Sequence, residues 1–433
     1  MSEQLPLSQV ARWVVEAQLR LGEGRSLVGA LEGVPSSHRS AVQALLYLTL
    51  RHRALCDAVT EDLVDRPPQP ALRALLHLGI AALCEKTFTP FTLVDQLVTA
   101  AKRRPDTQKG AGFLNAVLRR FIREEKERFA RAQRLETVRF NAPAWWIERM
   151  KRAMPEDWER VLTLVQRHPP MTLRVNLRKT TPEAYRALLA RQNLASVQSG
   201  AEALTLASPV PVTALPGFAE GLVSVQDAGT QLAAHLLPVR PGDRMLDACA
   251  APGGKTAHLL ERCDCEVTAL EIDPKRAEKI RDTLDRLGLS AELVTTDAAR
   301  TEKWFDGRPF DAVLLDAPCT ASGIVRRQPD VPWIRRPEDI ASLARQQRRL
   351  LRALWPVLKS GGHLLYCTCS VFPEEGPEQI RAFLKENEDA ELVPLGEKNE
   401  GMMPLFPREE PWTGDEKRPG IHDGFFYALI RKK

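Results

Sequence analysis

The 433-residue sequence has no apolar run near the roughly 18 residues that a membrane-spanning helix requires. Its first residues, MSEQLPLSQVARW, do not show the basic-then-apolar pattern of a secretory signal. Cysteine is scarce, because eight residues in so long a chain are too few for a disulfide framework. Nothing in the sequence suggests a heptad seam. We therefore expect a cytoplasmic protein with reduced thiols, no membrane association and a monomeric state.

The cysteines also lack the spacing of a metal site. Cys263 and Cys265 would form at most half of such a site, and the sequence offers no matching pair. Cys56 and Cys84 lie in helical apolar patterns, where a cysteine is usually an inert small hydrophobe. We therefore expect no metal.

The composition, 44% hydrophobic and 27% charged, is typical of globular proteins, and the length predicts about two to four domains. The net charge of +5 is unevenly spread, since residues 101–180 carry 20 Lys and Arg against 9 Asp and Glu. Such a surplus predicts a surface that binds a polyanion. Solvated helix surface is the alternative interpretation.

The periodicity of apolar residues divides the chain into three regions. Residues 1–138 read as a succession of amphipathic helices, without strand alternation. Residues 139–222 mix short strands with helices and predict a small α+β connector similar to an RNA-recognition fold. No aromatic pair suits base stacking there, so RNA contact would depend on charge. In residues 223–433 strands alternate with helices, which predicts a Rossmann-like α/β domain with a mostly parallel, doubly wound sheet.

The stretch RMLDACAAPGGKT, residues 244–256, reads as a strand, a glycine turn and the start of a helix. Glycines let the backbone approach a ligand closely, and a new helix offers free N–H groups. The stretch fits either an S-adenosylmethionine pocket or a phosphate-binding P-loop. In the second case Lys255 and Asp316 would serve an ATPase, but Cys249 stands where the first glycine of a P-loop belongs.

Acidic residues follow four of the predicted strands: Asp247, Glu271, Asp297 and Asp316. A single acidic residue in such a place is usually a turn former or a helix cap. Four of them at the carboxyl ends of parallel strands predict a ligand site. Glu271 suits the ribose hydroxyls of a nucleoside and Asp297 the amino group of an adenine, whereas Asp247 is expected to brace the glycine turn.

Two cysteines, Cys319 in DAPC and Cys369 in CTCS, also follow predicted strands. Methylation of carbon 5 of a pyrimidine requires a thiol there, because a thiolate adding to carbon 6 makes carbon 5 nucleophilic. A carboxyl group must stabilise the adduct, and Asp316 is suitably placed. The base would have to be exposed or flipped out of the RNA. This chemistry alone does not say which cysteine attacks.

The motifs DACAAPGGKT, EID, LLDAPC and YCTCS, in this order, resemble the RNA 5-methylcytosine methyltransferases. The upstream phrase NAVLRRF resembles a NusB-like RNA-binding module. With SVQDAGTQ and DGFFYALIRK, the resemblance covers essentially the whole chain and points to members that act on small-subunit ribosomal RNA. It implies 16S ribosomal RNA, naked or in early assembly, as the partner and cytosine 967 as the target.

The resemblance also implies residue roles. Cys369 is the nucleophile, Cys319 assists product release and Asp316 activates the base. S-adenosylmethionine is the methyl donor, and its contacts fall on Cys249, Ala250, Ala251, Pro252, Gly253, Gly254, Lys255, Glu271, Asp297 and Asp316. The family more often has aspartate where Glu271 stands. Cys367 has no implied role, and we expect its side chain to face the opposite side of the strand from Cys369.

Basic residues predicted to contact RNA phosphates lie in two groups. They are Lys102, Arg103, Arg104, Arg119, Arg120 and Arg123 in the helical region, and Arg326 and Arg327 after Cys319. Further arginines follow along the next helix: Arg335, Arg336, Arg345, Arg348, Arg349 and Arg352. Two other functions stay open from the sequence: the same chemistry on transfer RNA, and a non-catalytic RNA-binding factor.

Overall fold

A computed structural model describes residues 5–396 and 401–433. No helix among these residues is long and apolar enough to cross a membrane. The helices are α1 (Leu7–Gly22), α2 (Leu27–Ala30), α3 (Ser36–Arg51), α4 (Arg53–Leu63), α5 (Pro70–Cys84), α6 (Pro90–Lys102), α7 (Ala111–Ala132), α8 (Glu136–Arg139), α9 (Ala144–Ala153), α10 (Trp158–Leu164), α11 (Pro182–Arg191), α12 (Ala228–Leu236), α13 (Gly254–Arg262), α14 (Pro274–Leu287), α15 (Val331–Ile334), α16 (Pro337–Leu354) and α17 (Pro377–Glu386).

The strands are β1 (Thr172–Val175), β2 (Ser196–Gln198), β3 (Ala203–Leu206), β4 (Val223–Val225), β5 (Arg244–Asp247), β6 (Glu266–Glu271), β7 (Glu292–Thr295), β8 (Phe310–Asp316), β9 (Leu358–Thr368), β10 (Ala390–Leu392), β11 (Met402–Leu405), β12 (Arg408–Glu409), β13 (Ile421–His422) and β14 (Phe425–Lys432). The chain divides into two compact units. The first contains the residues up to Gln166 together with Arg327–Pro337, and the second contains Arg167–Arg326 and Glu338–Lys433.

The first unit is helical, as the periodicity predicts. Helix α7 shows why, because its buried residues Leu114, Val117, Leu118 and Phe121 recur at helical spacing and face one core. The 327–337 segment packs into the same core through Trp333 and Ile334. The carboxylate of Asp330, also in this segment, accepts a hydrogen bond of 2.9 Å from the backbone N–H of Leu27. The helical unit therefore takes part of its packing from a distant stretch of the sequence.

The second unit begins with a four-stranded antiparallel sheet in the order β2-β3-β1-β4, with α11 inserted between β1 and β2. This matches the predicted α+β character of the connector. Arg174 on β1 is fully buried and reaches across to α13, where its guanidinium pairs with Glu261 at 2.7 Å and donates to the Gly254 carbonyl at 2.7 Å. The small sheet is therefore attached to the helix that follows the glycine turn.

A second set of buried polar groups makes the same attachment. Glu202, next to β3, accepts from His258 on α13 and pairs with Arg262. His235 on α12 lies 3.7 Å from the same carboxylate. These two histidines and Glu202 hold potential metal-ligand atoms within 4.8 Å of one another. The hydrogen bond and the guanidinium already satisfy the carboxylate, which makes the cluster a structural brace.

The large sheet of the second unit has the order β10-β14-β9-β8-β5-β6-β7, and β11 also pairs with β14. Strands β5 to β9 run parallel to one another, whereas β14 is antiparallel to β9. The doubly wound Rossmann-like fold is therefore confirmed. The chain leaves β5 toward β6 on one side and later returns to β8 on the other. Ligands of such sheets bind at this switch point, outside the carboxyl ends of the strands.

Candidate active site

The glycine turn between β5 and α13 has a conformation that its sequence requires. Gly253 adopts φ = 93°, in the left-handed region, and a Cβ there would lie 3.1 Å from the Cα of Ile280. Asp247, buried at the end of β5, accepts a hydrogen bond of 2.6 Å from the Thr256 hydroxyl on α13. Burial raises the pKa of the Asp247 carboxyl to about 7, against the opposing hydrogen bond from Thr256. The carboxyl group thus connects the strand to the helix, as expected of a brace.

A cleft of about 230 Å³, open to solvent, lies at the carboxyl ends of β5 to β9. It brings together several residues that the sequence separates by up to 120 positions. Among the predicted site residues, Cys249, Ala251, Glu271, Asp297, Asp316, Cys319 and Cys369 line it. Ala250, Pro252, Gly253, Gly254 and Lys255 form the turn and the start of α13.

Two carboxylates on one side of the cleft have a common arrangement. One oxygen of Glu271 accepts from the backbone N–H of Asp273 at 3.0 Å, and one oxygen of Asp297 accepts from that of Ala299 at 3.0 Å. In both cases the donor lies two residues further along the chain, so a local turn fixes the carboxylate. The arrangement orients each group by one oxygen and leaves the other to contact something else.

The second oxygens differ. The second oxygen of Asp297 pairs with Arg349 on α16. Burial alone would raise the pKa of Asp297, but the Arg349 guanidinium and the backbone N–H of Ala299 outweigh burial and lower this pKa. Glu271 is almost fully buried, and Arg276 stands 3.5 Å from the oxygen that Asp273 already occupies. Within the described residues, no hydrogen bond is assigned to its other oxygen. That oxygen can therefore accept from a ligand hydroxyl.

The two predicted thiols meet on the other side of the cleft. The Sγ atoms of Cys319, after β8, and Cys369, after β9, are 3.4 Å apart. The hydrogen bond with Cys369, burial and the charge of Glu375 raise the pKa of the Cys319 thiol. Cys319 consequently retains its proton and can donate it toward the sulfur of Cys369.

Asp316 lies at the end of β8, between the carboxylates and the thiols. Its Oδ2 atom is 2.5 Å from the Nζ atom of Lys255, and the thiol of Cys367 lies 3.5 Å from its Oδ1 atom. Burial lowers the pKa of Lys255, but Asp316 more than compensates, so the net shift is upward and the ammonium persists. Lys255 therefore orients Asp316 in this structure. This use of Lys255 differs from that in a P-loop, where the lysine reaches phosphates.

The expectation that Cys367 faces away from Cys369 is wrong. The two residues are two positions apart on an extended strand, and side chains at this spacing point to the same face. Both indeed pack against the same core cluster, and the Cys367 sulfur contacts Asp316. Burial raises the pKa of the Cys367 thiol, with Asp316 acting in the same direction, so Cys367 stays protonated.

Two predicted RNA contacts need correction. Arg326 is fully buried in the second unit, where its guanidinium pairs with Glu409 and Asp423, so it cannot reach a phosphate. In the helical unit, Arg104 pairs with Glu16 at 2.7 Å and with Asp106 at 2.8 Å, and its side chain is only 11% exposed. In both cases neighbouring carboxylates hold the guanidinium in place, which the sequence spacing did not reveal.

The other basic residues of the helical unit are more accessible. Lys102 and Arg119 line one groove between α6 and α7, beside Asn115 and the 76% exposed Phe91. Arg103 and Arg123 are exposed, and Arg120 is exposed but pairs with Glu124 on the next turn. Arg327 is half-buried. The groove joins cations to an aromatic ring, a combination that suits unpaired nucleotides.

Helix α16 of the second unit carries a row of arginines. Arg345, Arg348, Arg349 and Arg352 line one depression on its exposed face. Arg349 pairs with Asp297 and Arg352 with Glu386. No ion pair is recorded for Arg345 or Arg348 within the described residues. These two guanidinium groups therefore remain available to an anionic ligand close to the cleft.

Sequence reasoning missed several residues around the cleft. Ile272, Arg276, Gln346 and Leu350 also line it, and Ile272 is 64% exposed despite its apolar side chain. Behind the thiols lies the fully buried Glu375, in the motif PEE a few residues after CTCS. The available signal was that motif itself, an acidic pair a few residues after the cysteine that follows a strand.

Comparison with known proteins gives concordant results along the chain. Family models match residues 234–431 (16S rRNA methyltransferase RsmB/F), 142–213 (ferredoxin-like domain of RsmF/B-like methyltransferases) and 13–123 (NusB family). Ribosomal RNA small subunit methyltransferase B of Pseudomonas putida is 41% identical over 414 residues, which cover 94% of this chain and 93% of that protein.

Two solved structures are similar as well. The crystal structure of PH0851 superposes with a TM-score of 0.80 at 27% identity and covers 99% of both chains. A methyltransferase homolog from Pyrococcus horikoshii has a TM-score of 0.55 at 30% identity, covering 69% of this chain and 97% of its own.

Proposed function

The chain belongs to the 16S rRNA methyltransferase RsmB/F family, and we propose that it methylates carbon 5 of a cytosine in 16S ribosomal RNA. The motif resemblance is thereby confirmed for the family and for the NusB-like region. The observation that carries the finer proposal is the pair of sulfurs 3.4 Å apart, next to Asp316, in one cleft. Cytosine 967 is proposed as the target on the strength of the resemblance.

We propose that S-adenosylmethionine binds in this cleft as the methyl donor. The donor supplies a methyl group on a sulfonium when bound. Glu271 would accept hydrogen bonds from the ribose through the oxygen that no described residue occupies, and Asp297 would meet the adenine amino group. Cys249 and Ala251 line the same cleft and would contact the nucleoside. The first N–H groups of a helix have no partner within the helix, so those at the start of α13 would favour polar parts of the ligand.

In the proposed reaction the Cys369 thiolate forms a bond to carbon 6 of the cytosine. The electron pair of the ring double bond then makes carbon 5 nucleophilic, so that this carbon would take the methyl group as the sulfur–methyl bond of the donor breaks and leaves a neutral thioether. Asp316 stabilises the adduct at the ring nitrogen or the exocyclic amine, and Lys255 keeps its carboxylate oriented. Loss of the carbon-5 proton to a base restores the double bond and expels the Cys369 thiolate. Cys319 assists this release.

RNA would be held at two surfaces, each proposed separately. One is the groove with Lys102 and Arg119 in the helical unit, with Arg103, Arg120 and Arg123 nearby. The other is the row on α16, where Arg345 and Arg348 are exposed. Contacts with phosphates position the RNA and do not read its sequence.

We infer a monomeric cytoplasmic enzyme without a resident metal that acts on naked or early-assembly 16S RNA. We keep the division into residues 1–138, 139–222 and 223–433 as a hypothesis about domains. Contacts group α9 and α10 with the helical unit up to Gln166, whereas the ferredoxin-like family model begins at residue 142. Limited proteolysis, with cleavage sites mapped by mass spectrometry, tests the division.

The function is tested by methyl transfer from labelled S-adenosylmethionine to unmodified 16S RNA, with transfer RNA as a parallel substrate. The parent protein should label carbon 5 of a cytosine in 16S RNA. Cys369→Ala should be inactive, and Cys319→Ala should accumulate a covalent protein–RNA adduct. Activity of both variants would refute the thiol mechanism, and exclusive labelling of transfer RNA would refute the substrate.

A further inference from the structure

A buried carboxylate lies directly behind the two thiols. Glu375 is fully buried, and its Oε1 atom accepts from the backbone N–H of Thr320 at 2.9 Å and from the Gln347 side chain at 3.1 Å. Its Oε2 atom accepts from the Ser370 hydroxyl at 2.6 Å and from the hydroxyl of Thr320. One carboxylate thus receives four hydrogen bonds.

The donors of these hydrogen bonds are the immediate neighbours of the cysteines. Thr320 follows Cys319, and Ser370 follows Cys369. The amide group of Gln347 also donates to the carbonyl of Pro318, on the other side of Cys319, at 2.9 Å. The carboxylate therefore connects the loop after β8 to the end of β9. It fixes the backbone on which each sulfur is carried.

The two oxygens of Glu375 have different requirements. The backbone N–H of Thr320 and the amide nitrogen of Gln347 can only donate, so Oε1 must be an acceptor. The hydroxyls of Thr320 and Ser370, which meet Oε2, can donate or accept. A glutamine could therefore keep all four contacts, by accepting through its oxygen and donating through its nitrogen. The hydrogen bonds alone do not require a negative charge at this position.

A charged carboxylate in this place is costly, since burial disfavours the ionised form and raises the pKa of Glu375. The same charge faces Cys319 and raises the pKa of its thiol. The other titratable groups that face Glu375 or the two thiols include Tyr366, Cys367 and Asp316, and also Lys255 and Tyr427 on the side of Cys369.

We propose that Glu375 is a positioning residue that sets the separation of the Cys319 and Cys369 sulfurs and, by its charge, keeps the shared proton on Cys319. This inference rests on the proposed function, in which Cys369 attacks as a thiolate and Cys319 assists release. The inference explains why a charged group is buried at this position, which packing and hydrogen bonding alone do not require. Glu375 acts through Thr320 and Ser370 and does not touch the substrate.

The test is alkylation of each thiol by iodoacetamide between pH 6 and 10, followed by mass spectrometry of the intact full-length protein and its peptides. Glu375→Gln keeps the hydrogen bonds and removes the charge, so Cys319 should become reactive at a lower pH than in the parent. Glu375→Ala also removes the contacts, so the preference for alkylation of Cys369 over Cys319 should shrink. Glu378→Gln, which removes an exposed charge three residues away, is the matched control and should follow the parent.

A Cys319 profile of Glu375→Gln that superposes on that of the parent would overturn the inference, because a purely structural role predicts no shift. Misfolding of Glu375→Ala would not affect this comparison. Methyl transfer to 16S RNA is measured on the same preparations. A parent without transferase activity would refute the proposed function, whereas an active parent with an unshifted Glu375→Gln profile would refute the inference alone.

Discussion

The two sides of the cleft are built on different principles. On the β6 and β7 side, Glu271 and Asp297 are carboxylates that local backbone N–H groups fix by one oxygen. On the β8 and β9 side, the sulfurs of Cys319 and Cys369 are fixed indirectly, through neighbours held by a buried carboxylate. The β6 and β7 side has its carboxylates in the lining of the cleft, where a ligand can contact them. The β8 and β9 side has its buried carboxylate, Glu375, behind the two sulfurs. The comparison predicts that changes on the first side alter binding and those on the second alter the rate.

Asp316 stands where the two sides meet and gives the sharpest test. Asp316→Asn removes the carboxylate that is proposed to stabilise the adduct, so kcat should fall by about 10²–10³-fold. The affinity for S-adenosylmethionine, measured by calorimetry, should fall much less than kcat, since Glu271 and Asp297 remain among the residues expected to contact the donor. The double variant Asp316→Asn/Lys255→Met controls for the ammonium left without its anion. A large loss of donor affinity with unchanged kcat would assign Asp316 to the binding side.

Glu271→Ala should weaken binding of S-adenosylmethionine by about 10–100-fold, because hydrogen bonds to a charged group are lost. The rate at which iodoacetamide alkylates Cys369 should not change. Glu271→Asp, which retains a carboxylate with shorter reach, is the matched control and should bind more tightly than the alanine variant. An unchanged affinity for S-adenosylmethionine in Glu271→Ala would contradict the assignment of donor binding to the β6 and β7 side of the cleft.

Arg345 and Arg348 of α16 lie close to the cleft, and their substitution should weaken RNA binding without changing the affinity for S-adenosylmethionine. Arg345→Ala/Arg348→Ala should raise KM for 16S RNA by about 3–10-fold and reduce the slope of log affinity against log salt by about two, since two phosphate contacts are lost. Arg352→Ala, at a guanidinium already paired with Glu386, should have less effect. Equal effects of the double variant and the control would remove this row from the RNA-binding surface.

Asp247 lies beneath both sides, and its effect concerns stability. Its native pKa of about 7 exceeds the ordinary 3.8, so between these values the native state holds a proton that the unfolded state has released. Stability therefore falls as pH rises through this window, and Asp247→Asn should lose that dependence. The melting temperature of the variant should exceed that of the parent by a few degrees at pH 8, with a smaller difference near pH 4.5. A difference that does not vary with pH would contradict the shifted carboxyl.

Much of the second unit could be read from local sequence signals. The strand–turn–helix pattern, the acidic residues at strand ends and Gly288 as the stop of α14 all depend on neighbouring residues. The closeness of Cys319 and Cys369 was expected only because parallel strands end at one edge of the sheet. The identity of the nucleophile came from the family resemblance and not from the chemistry.

What sequence reasoning missed depends on contacts between distant residues. Arg326 looked like a surface cation, but Glu409 and Asp423, more than 80 positions away, bury it. Glu375 was passed over because its partners Thr320 and Gln347 lie 55 and 28 residues away. The misplaced Cys367 had a different origin, since a count of two positions along a strand would have given the correct face.

The short segment 327–337 has a consequence for how this protein can be dissected. It interrupts the α/β part of the sequence, yet its Trp333 and Ile334 complete the core of the helical unit. A fragment that ends near residue 166 would therefore lack part of the helical unit, because residues 327–337 belong to that unit. A fragment beginning at residue 167 would expose the apolar side chains of Trp333 and Ile334 further to water, and the complementary fragment would lose the packing of these side chains against its core. Gene fusions or truncations at that point should favour aggregation.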